Sequence, residues 1–168
     1  TDAVFNRVQG QNLSMAGVIL TGSSFQNAQL NDSNWTGVLL NDLNLQGAVL
    51  DDADFRNADF IDTTLTGVRF VNADLRGADL ASANVEGVDF EGANLLGTNF
   101  LLARYSDETR WPEIFEPTTI HALGPGAIFP DGFLFPNGLQ AEGVHLSNAR
   151  LAHARLLDAN LTGADLTG

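Results

Sequence analysis

The sequence predicts an all-β solenoid, a chain that turns a corner every five residues around one apolar filling. Three observations predict it. From Leu20, Phe25, Leu30 and Trp35 through Phe90, Leu95, Phe100 and Tyr105, every fifth residue is large and apolar, eighteen positions without a miss. At roughly one-half apolar usage per site, chance yields such a run about four times in a million. Two residues before each anchor lies a second series, small or β-branched, running Val18, Ser23, Ala28, Ser33, Val38 and onward to Thr98 and Ala103; only Leu43 in it is bulky. The period itself is the third observation. Five residues turn through about 500° on an α-helix and point to alternate faces on a flat strand. Both series face inward only if the backbone bends once per repeat, and such a chain winds into stacked coils with a continuous interior.

The same positions carry a family likeness. Ala-Asp-Phe at 53–55 and 58–60, Ala-Asp-Leu at 73–75 and 78–80, and Ala-Asn-Leu at 93–95 resemble the A(D/N)LXX motif of pentapeptide repeat proteins, as do Gly67, Gly77, Gly87, Gly92 and Gly97 at fifth positions. The resemblance spans most of the chain. It implies a right-handed quadrilateral β-helix with four pentapeptides per coil; the number four and the handedness come from the resemblance alone. It also implies action by binding rather than catalysis. The Asn-, Gly- and Ala-rich repeats resemble those of cyanobacterial members, some of them exported or lodged in the thylakoid lumen.

Taken in order, the chain reads as one solenoid domain over 1–168 with one non-repeat insertion. Residues 1–17 keep the phase weakly: Ala3/Phe5 and Leu13/Met15 fit, but Gly10 replaces an anchor beside Val8. They are expected to form a degenerate first coil or cap, because an end coil must discourage edge-to-edge association. Residues 18–105 are the regular repeats, which stacked at about 4.8 Å per coil make a stubby rod. Residues 106–138 break the pattern and are expected to form a protruding flap. Its short helices are placed at Pro112–Glu116 and Pro117–Leu123, with Gly124 as a stop. Turns follow at Phe129-Pro-Asp-Gly, which would close a small hairpin, and at Phe135-Pro-Asn-Gly. The wording around Thr109-Arg-Trp-Pro-Glu resembles a non-repeat segment of some family members. Residues 139–168 resume the repeats, with Leu146, Leu151, Leu156, Leu161 and Leu166 behind Val144, Ala149, Ala154, Ala159 and Ala164. Position 146 is 41 past 105, so the phase has slipped by one residue. An excursion outside the solenoid is expected to absorb that slip. The pattern stops in mid-course at Gly168, which suggests a truncated chain or an end that pairs with a second copy as an end-to-end homodimer.

Charge narrows the partners. Acidic residues number 21 against 8 arginines, with no lysine, for a net charge of −13. Such a surface repels nucleic acid and anionic membranes, so a protein partner is expected, with no nucleic acid and no membrane. No run of about eighteen apolar residues exists to span a bilayer. No leader signal stands at the start, and Thr rather than Met at position 1 fits the removal of a preceding segment. Cysteine is absent, which excludes disulfides and thiolate chemistry and leaves the thylakoid lumen, the periplasm and the cytoplasm all open.

No constellation points to catalysis, a cofactor or a metal. His121, His145 and His153 lie apart in sequence, and the last two fall outside the interior register. The aspartates before anchors (Asp54, Asp59, Asp74, Asp79, Asp89 and Asp165) invite comparison with a calcium ladder. The glycine-rich nonapeptide of calcium-binding β-rolls is missing, however, and arginines intervene. With four repeats per coil, Asp54 and Asp74 would share a face with Arg56 and Arg76 as a solvated ion-pair lattice worth little per pair. The sequons at Asn12, Asn34 and Asn160 arise automatically whenever Asn precedes an anchor and Ser or Thr follows. No threonine ladder of the ice-binding kind is present.

One outward feature stands apart. Beside Leu20, Leu40, Phe60, Leu80 and Phe100 lie Ile19, Leu39, Ile61, Ala81 and Leu101, an apolar stripe. Exposed stripes mark a covered or a partner-binding surface. Either the Phe-rich 106–138 flap, with Trp111, folds back over it, or another protein docks there. The expected function is a non-enzymatic module that presents a rigid acidic surface to a protein partner. The alternative, from another branch of the family, is a DNA-mimicking inhibitor or protector of a type II topoisomerase (gyrase); Arg56, Arg69 and Arg76 interrupt the acidic track that this requires. An enzyme would need a pocket between flap and rod.

Overall fold

The fold is built from one local event, a corner, repeated every five residues. Each corner is a turn that begins on an anchor. The amide three residues on donates to the anchor carbonyl, as from Ala28 to Phe25 and from Ala58 to Phe55, both at 3.0 Å. The third residue of the turn has positive φ, 56° at Asn57 and 67° at Gly67, while the second does not. That is the mark of a type II turn, which favours Gly or Asn at its third place. Asp and Asn before the anchor brace the corner: Asp54 Oδ1 accepts from the Arg56 amide at 3.1 Å, and Asp59 Oδ1 from Ile61 at 3.0 Å. The Ala-Asp/Asn-Leu/Phe wording therefore has a physical origin in a tight turn exit, an Asx brace and a buried plug.

In this computed structural model, which describes residues 3–113, 115, 123–124, 144, 146–149, 151 and 159–167, corners stack in register. Parallel bridges join one residue in five to the residue twenty places on, in four columns that start at Val4, Gln9, Ser14 and Ile19; Asp89↔Arg110 at 21 and Arg104↔Leu123 at 19 are the exceptions among the described residues. These columns define the first to fourth faces. Main-chain bonds run both ways between coils, from Phe25 N to Asn44 O and from Ser24 N to Ala3 O, each 2.8 Å. Every bridge among the described residues is isolated, because the chain turns again before a second residue can pair.

The anchors fill the interior. Phe25, Trp35, Phe55, Phe60, Phe70, Phe90 and Phe100 are all buried, and each fully buried apolar anchor of this size contributes about 1.5–3 kcal/mol. Rings stack from coil to coil (Trp35 on Phe55 at 5.5 Å, Phe70 on Phe90 at 5.7 Å) and meet edge-on where faces differ, as between Phe55 and Phe70 at 5.3 Å. Hydroxyls of the small series occupy carbonyls at the corners: Thr63 Oγ1 donates to Leu40 O at 3.1 Å and Thr98 Oγ1 to Leu75 O at 2.8 Å. Residues 3–17 pair in register with the second coil, from Val4↔Ser24 to Ser14↔Asn34. At the missing anchor, Leu13 leans into the space, and a Cβ on Gly10 would meet its Cδ1 at 2.7 Å.

One residue is added inside a coil, at Ser106–Thr109, and the register shifts again at Leu123, which bridges Arg104 at a separation of 19; residues 125–143, where the rest of the expected excursion falls, lie outside the described residues. Arg110 bridges Asp89 at a separation of 21 instead of 20. The corner closes from Thr109 N to Ser106 O, 3.0 Å, one residue late and without a positive φ. Thr109 Oγ1 makes this workable. It donates to Val85 O at 2.9 Å and accepts from Ser106 N at 3.1 Å and Gly87 N at 3.2 Å. Beyond it Trp111 behaves as the next anchor, stacked on Phe90 at 5.3 Å and on Phe115 at 5.0 Å.

Two expectations are corrected here. Trp111 does not serve as a cover for the outer stripe, since its ring contacts are with the core. Leu123 does not end a helix: it bridges Arg104, and its amide donates to Ala103 O. Pro112–Glu113 make a single turn closed by Phe115 N to Pro112 O, 2.9 Å. Residues 117–122, both Phe-Pro turns and all three histidines lie outside the described residues. Leu123 clusters with Val144 and Leu146, against which Leu102 and Leu161 pack. The twenty-residue spacing reappears there, with Leu146 N donating to Asp165 O at 2.7 Å and Asp165 N to Val144 O at 3.0 Å.

Candidate docking face

Every residue of the sequence-derived stripe lies on the fourth face. Ile19 and Leu39 stand in the bridge column, which continues as Asp59, Asp79 and Asn99. Ile61, Ala81 and Leu101 stand two positions along, in the row just past the anchors Phe60, Leu80 and Phe100. The stripe is thus a diagonal, stepping from one column to its neighbour between the second and third coils. Ile19 is 60 % and Leu39 42 % exposed, whereas Ile61, Ala81 and Leu101 are half-buried.

Side-chain amides and carboxylates lace the face together. Asp59 Oδ1 accepts from Ile61 N and from Asn41 Nδ2 at 3.1 Å; Asp79 Oδ1 accepts from Ala81 N at 3.0 Å and Asn99 Nδ2 at 2.9 Å. Asp42 and Asp62 occupy the exposed left-handed corner positions of the same face, at φ 58° and 57°. The other faces differ in charge. On the third, Arg56 pairs with Asp54 at 2.7 Å and reaches Asp74 at 3.8 Å, while Arg76 pairs with Asp74 at 2.5 Å. Arg56 beside Asp54 and Arg76 beside Asp74 hold both carboxyls below their ordinary range, chiefly through direct side-chain hydrogen bonds. The second face pairs Arg69 with Asp51 and Arg110 with Asp89; the first pairs Arg104 with Glu86. No ion pair among the described residues lies on the fourth face. Sequence reading found the apolar members of this face and missed its charge asymmetry, which emerges once the chain is written in rows of twenty.

Clefts lie on other faces of the described residues. An apolar cleft of about 570 Å³ is lined by Ala93, Leu95, Leu96, Pro112 and Phe115. A polar one of about 550 Å³ is lined by Glu86, Arg104, Asp107 and Glu108. In the latter, Arg104 is paired with Glu86 at 3.6 Å and Ser106 Oγ accepts from the Glu108 amide at 3.3 Å. No group of three or more metal-ligating side chains forms among the described residues, and no helix there is long and apolar enough to cross a membrane.

The family model described as pentapeptide repeats matches residues 39–77, 73–103 and 140–168, in eight copies. The chain belongs to the pentapeptide repeat family. No curated protein matches this pentapeptide repeat chain. Among solved structures it is similar to HetL, a pentapeptide repeat protein involved in heterocyst differentiation regulation, from the cyanobacterium Nostoc sp. strain PCC 7120. The identity is 23 %, over 99 % of this chain and 84 % of that one, with a TM-score of 0.63. It is also similar to QnrB1, a plasmid-mediated fluoroquinolone resistance protein, at 16 % identity over 98 % of this chain and 92 % of that one, with a TM-score of 0.58. At these identities the likeness speaks for the pentapeptide repeat β-helix fold.

Proposed function

We propose that this pentapeptide repeat protein is a non-enzymatic, right-handed, four-sided rod with one non-repeat insertion, whose fourth face docks a protein partner. One observation carries the reading: Ile19, Leu39, Ile61, Ala81 and Leu101 project from a face that forms no ion pair of its own among the described residues. Apolar side chains left outward on a rigid scaffold lower their free energy when a partner covers them. Trp111 and Phe115 are committed to the core, which favours an external partner over a covering by these two aromatics. A photo-reactive residue at position 39 or 61, exposed to extract of the source cells, should cross-link to another protein, while one at Val71 on the second face should not. Cross-links from 39 and 61 to the chain's own residues 125–143 would instead support a folded-back flap. Equal labelling at 71 would remove the docking face altogether.

The second reading, a DNA-mimicking effector of a type II topoisomerase, draws support from Asp32 and Asp52, which follow one another up the second face. Arg69 and Arg110 break that track by pairing with Asp51 and Asp89. A gyrase supercoiling assay decides it: unaltered supercoiling at micromolar protein eliminates this reading.

A further inference from the structure

Six of the arginines lie among the described residues, and the columns place all of them off the fourth face: Arg7 and Arg104 on the first, Arg69 and Arg110 on the second, Arg56 and Arg76 on the third. The fourth carries Asp42, Asp59, Asp62 and Asp79 beside its apolar diagonal. Asp59 and Asp79 are half-buried and use Oδ1 to brace corners and bind neighbouring amides. A carboxylate partly withdrawn from water and lacking a counter-charge gains more from an added cation than a fully hydrated one does.

Resting on the docking reading of this face, we propose that its occupant is a cationic amphipathic helix laid along the rod. Its apolar side chains would cover the Leu39–Ile61 diagonal, and its lysines or arginines would meet Asp42, Asp59, Asp62 and Asp79. Main-chain geometry excludes an added strand. Leu40 N already donates to Asp59 O and Asp59 N to Val38 O, both within 2.9 Å, so the face has no free ladder edge and can be held only by side chains. The pitch fits a helix. From Ile19 to Leu101 is four coil steps, roughly 19 Å at about 4.8 Å each. About thirteen helical residues span that length, and their apolar side chains recur every ~5.4 Å. A second copy of this chain is a poor occupant, because two surfaces of net charge −13 that both present carboxylates here repel each other. Nucleic acid and anionic membranes are repelled for the same reason.

The probe is a labelled leucine–lysine peptide of about sixteen residues with leucines at helical i, i+3, i+4, i+7 spacing, titrated with the full chain by fluorescence anisotropy. Saturable binding is expected. Leu39→Ser combined with Ile61→Ser should weaken it at least about tenfold. Asp59→Asn with Asp79→Asn should weaken it and flatten its salt dependence. Asparagine braces corners elsewhere, as Asn84 does for the Glu86 amide at 3.0 Å, so this pair of changes is expected to leave the fold intact. Asp32→Asn with Asp52→Asn on the second face should shift affinity less than about twofold. No binding, equal binding of a leucine–glutamate peptide, or equal weakening by the second-face pair overturns the proposal. If these fail while positions 39 and 61 still cross-link to a protein, the docking face stands and its partner's chemistry is wrong. If both fail, the docking face falls too.

Discussion

The indole of Trp35 is fully buried, and its one polar atom, Nε1, donates to Ser33 Oγ at 2.5 Å, while that hydroxyl in turn donates to Leu30 O. Ser33→Ala removes no bulk but leaves a buried N–H without an acceptor, which costs about 1–3 kcal/mol. The urea midpoint should fall accordingly, with the slope unchanged. The sequence marked position 33 as one that must be small. Its hydroxyl's task was hidden, because partner choice depends on where the next ring lies. Corner glycines separate strain from crowding in the same way. Gly67 has φ +67° and open space around a would-be Cβ, whereas a Cβ at Gly77, φ +68°, would meet Asn57 Oδ1 at 2.7 Å. Gly67→Ala should therefore cost only the left-handed strain of about 1–2 kcal/mol, and Gly77→Ala more. Adding Asn57→Ala to Gly77→Ala should recover the excess, a coupling that a double-mutant cycle measures. Tyr105, the one tyrosine in the chain, has its phenol pushed up to about 12, first by burial and then by Asp107. An unfolded phenol titrates near 10, so between those two values the unfolded state sheds its proton first and stability falls as pH rises. Below about 10 the contribution is whole. Phenolate absorbance should show the delayed titration, and Tyr105→Phe should abolish that alkaline loss.

At the scale of the element, the delayed corner at Ser106–Thr109 shows what a linear reading could and could not extract. The slip of one residue was plain from the anchors, and Thr109/Trp111 already satisfy the small–large pair, with Leu146 lying seven repeats past Trp111. What stayed hidden was that a hydroxyl could stand in for main chain. In a regular corner the left-handed residue donates to a carbonyl one coil on, as Gly77 N does to Leu96 O at 3.1 Å. Gly87 N donates to Thr109 Oγ1 instead. Thr109→Val keeps the shape and strips all three bonds, so destabilisation of at least about 2 kcal/mol is expected. Thr109→Ser should retain most of the stability. Amide exchange at Gly87 and Ser106 reports the difference directly.

For the whole molecule, five-residue periodicity made the rod legible because interior register is a one-dimensional property of the chain. The candidate docking face was half legible: four repeats per coil, taken from the family likeness, already grouped Ile19, Leu39, Ile61, Ala81 and Leu101, whereas the charge asymmetry shows only when the arginines of all four faces are compared. Acid stability is set at the same scale. Asp54 and Asp74 are held below their ordinary range by Arg56 and Arg76, so their contribution is complete above the unfolded carboxylate value near 4 and is lost as pH drops through the folded values. Arg56→Ala with Arg76→Ala should flatten the acid limb of a stability–pH curve by lowering stability at neutral pH, where the contribution is complete, and leave the strongly acid end unchanged; the loss should be small, since exposed pairs are worth little.

The aromatic filling also supplies built-in reporters. Trp35 sits in the second coil and Trp111 past the delayed corner, and they are the only indoles in the sequence. Each coil is bonded only to its neighbours, so melting is expected to begin as fraying at an end instead of everywhere at once. With either indole replaced by phenylalanine, the emission of the other becomes a local thermometer, and the order in which the two signals move tells from which end the rod unwinds.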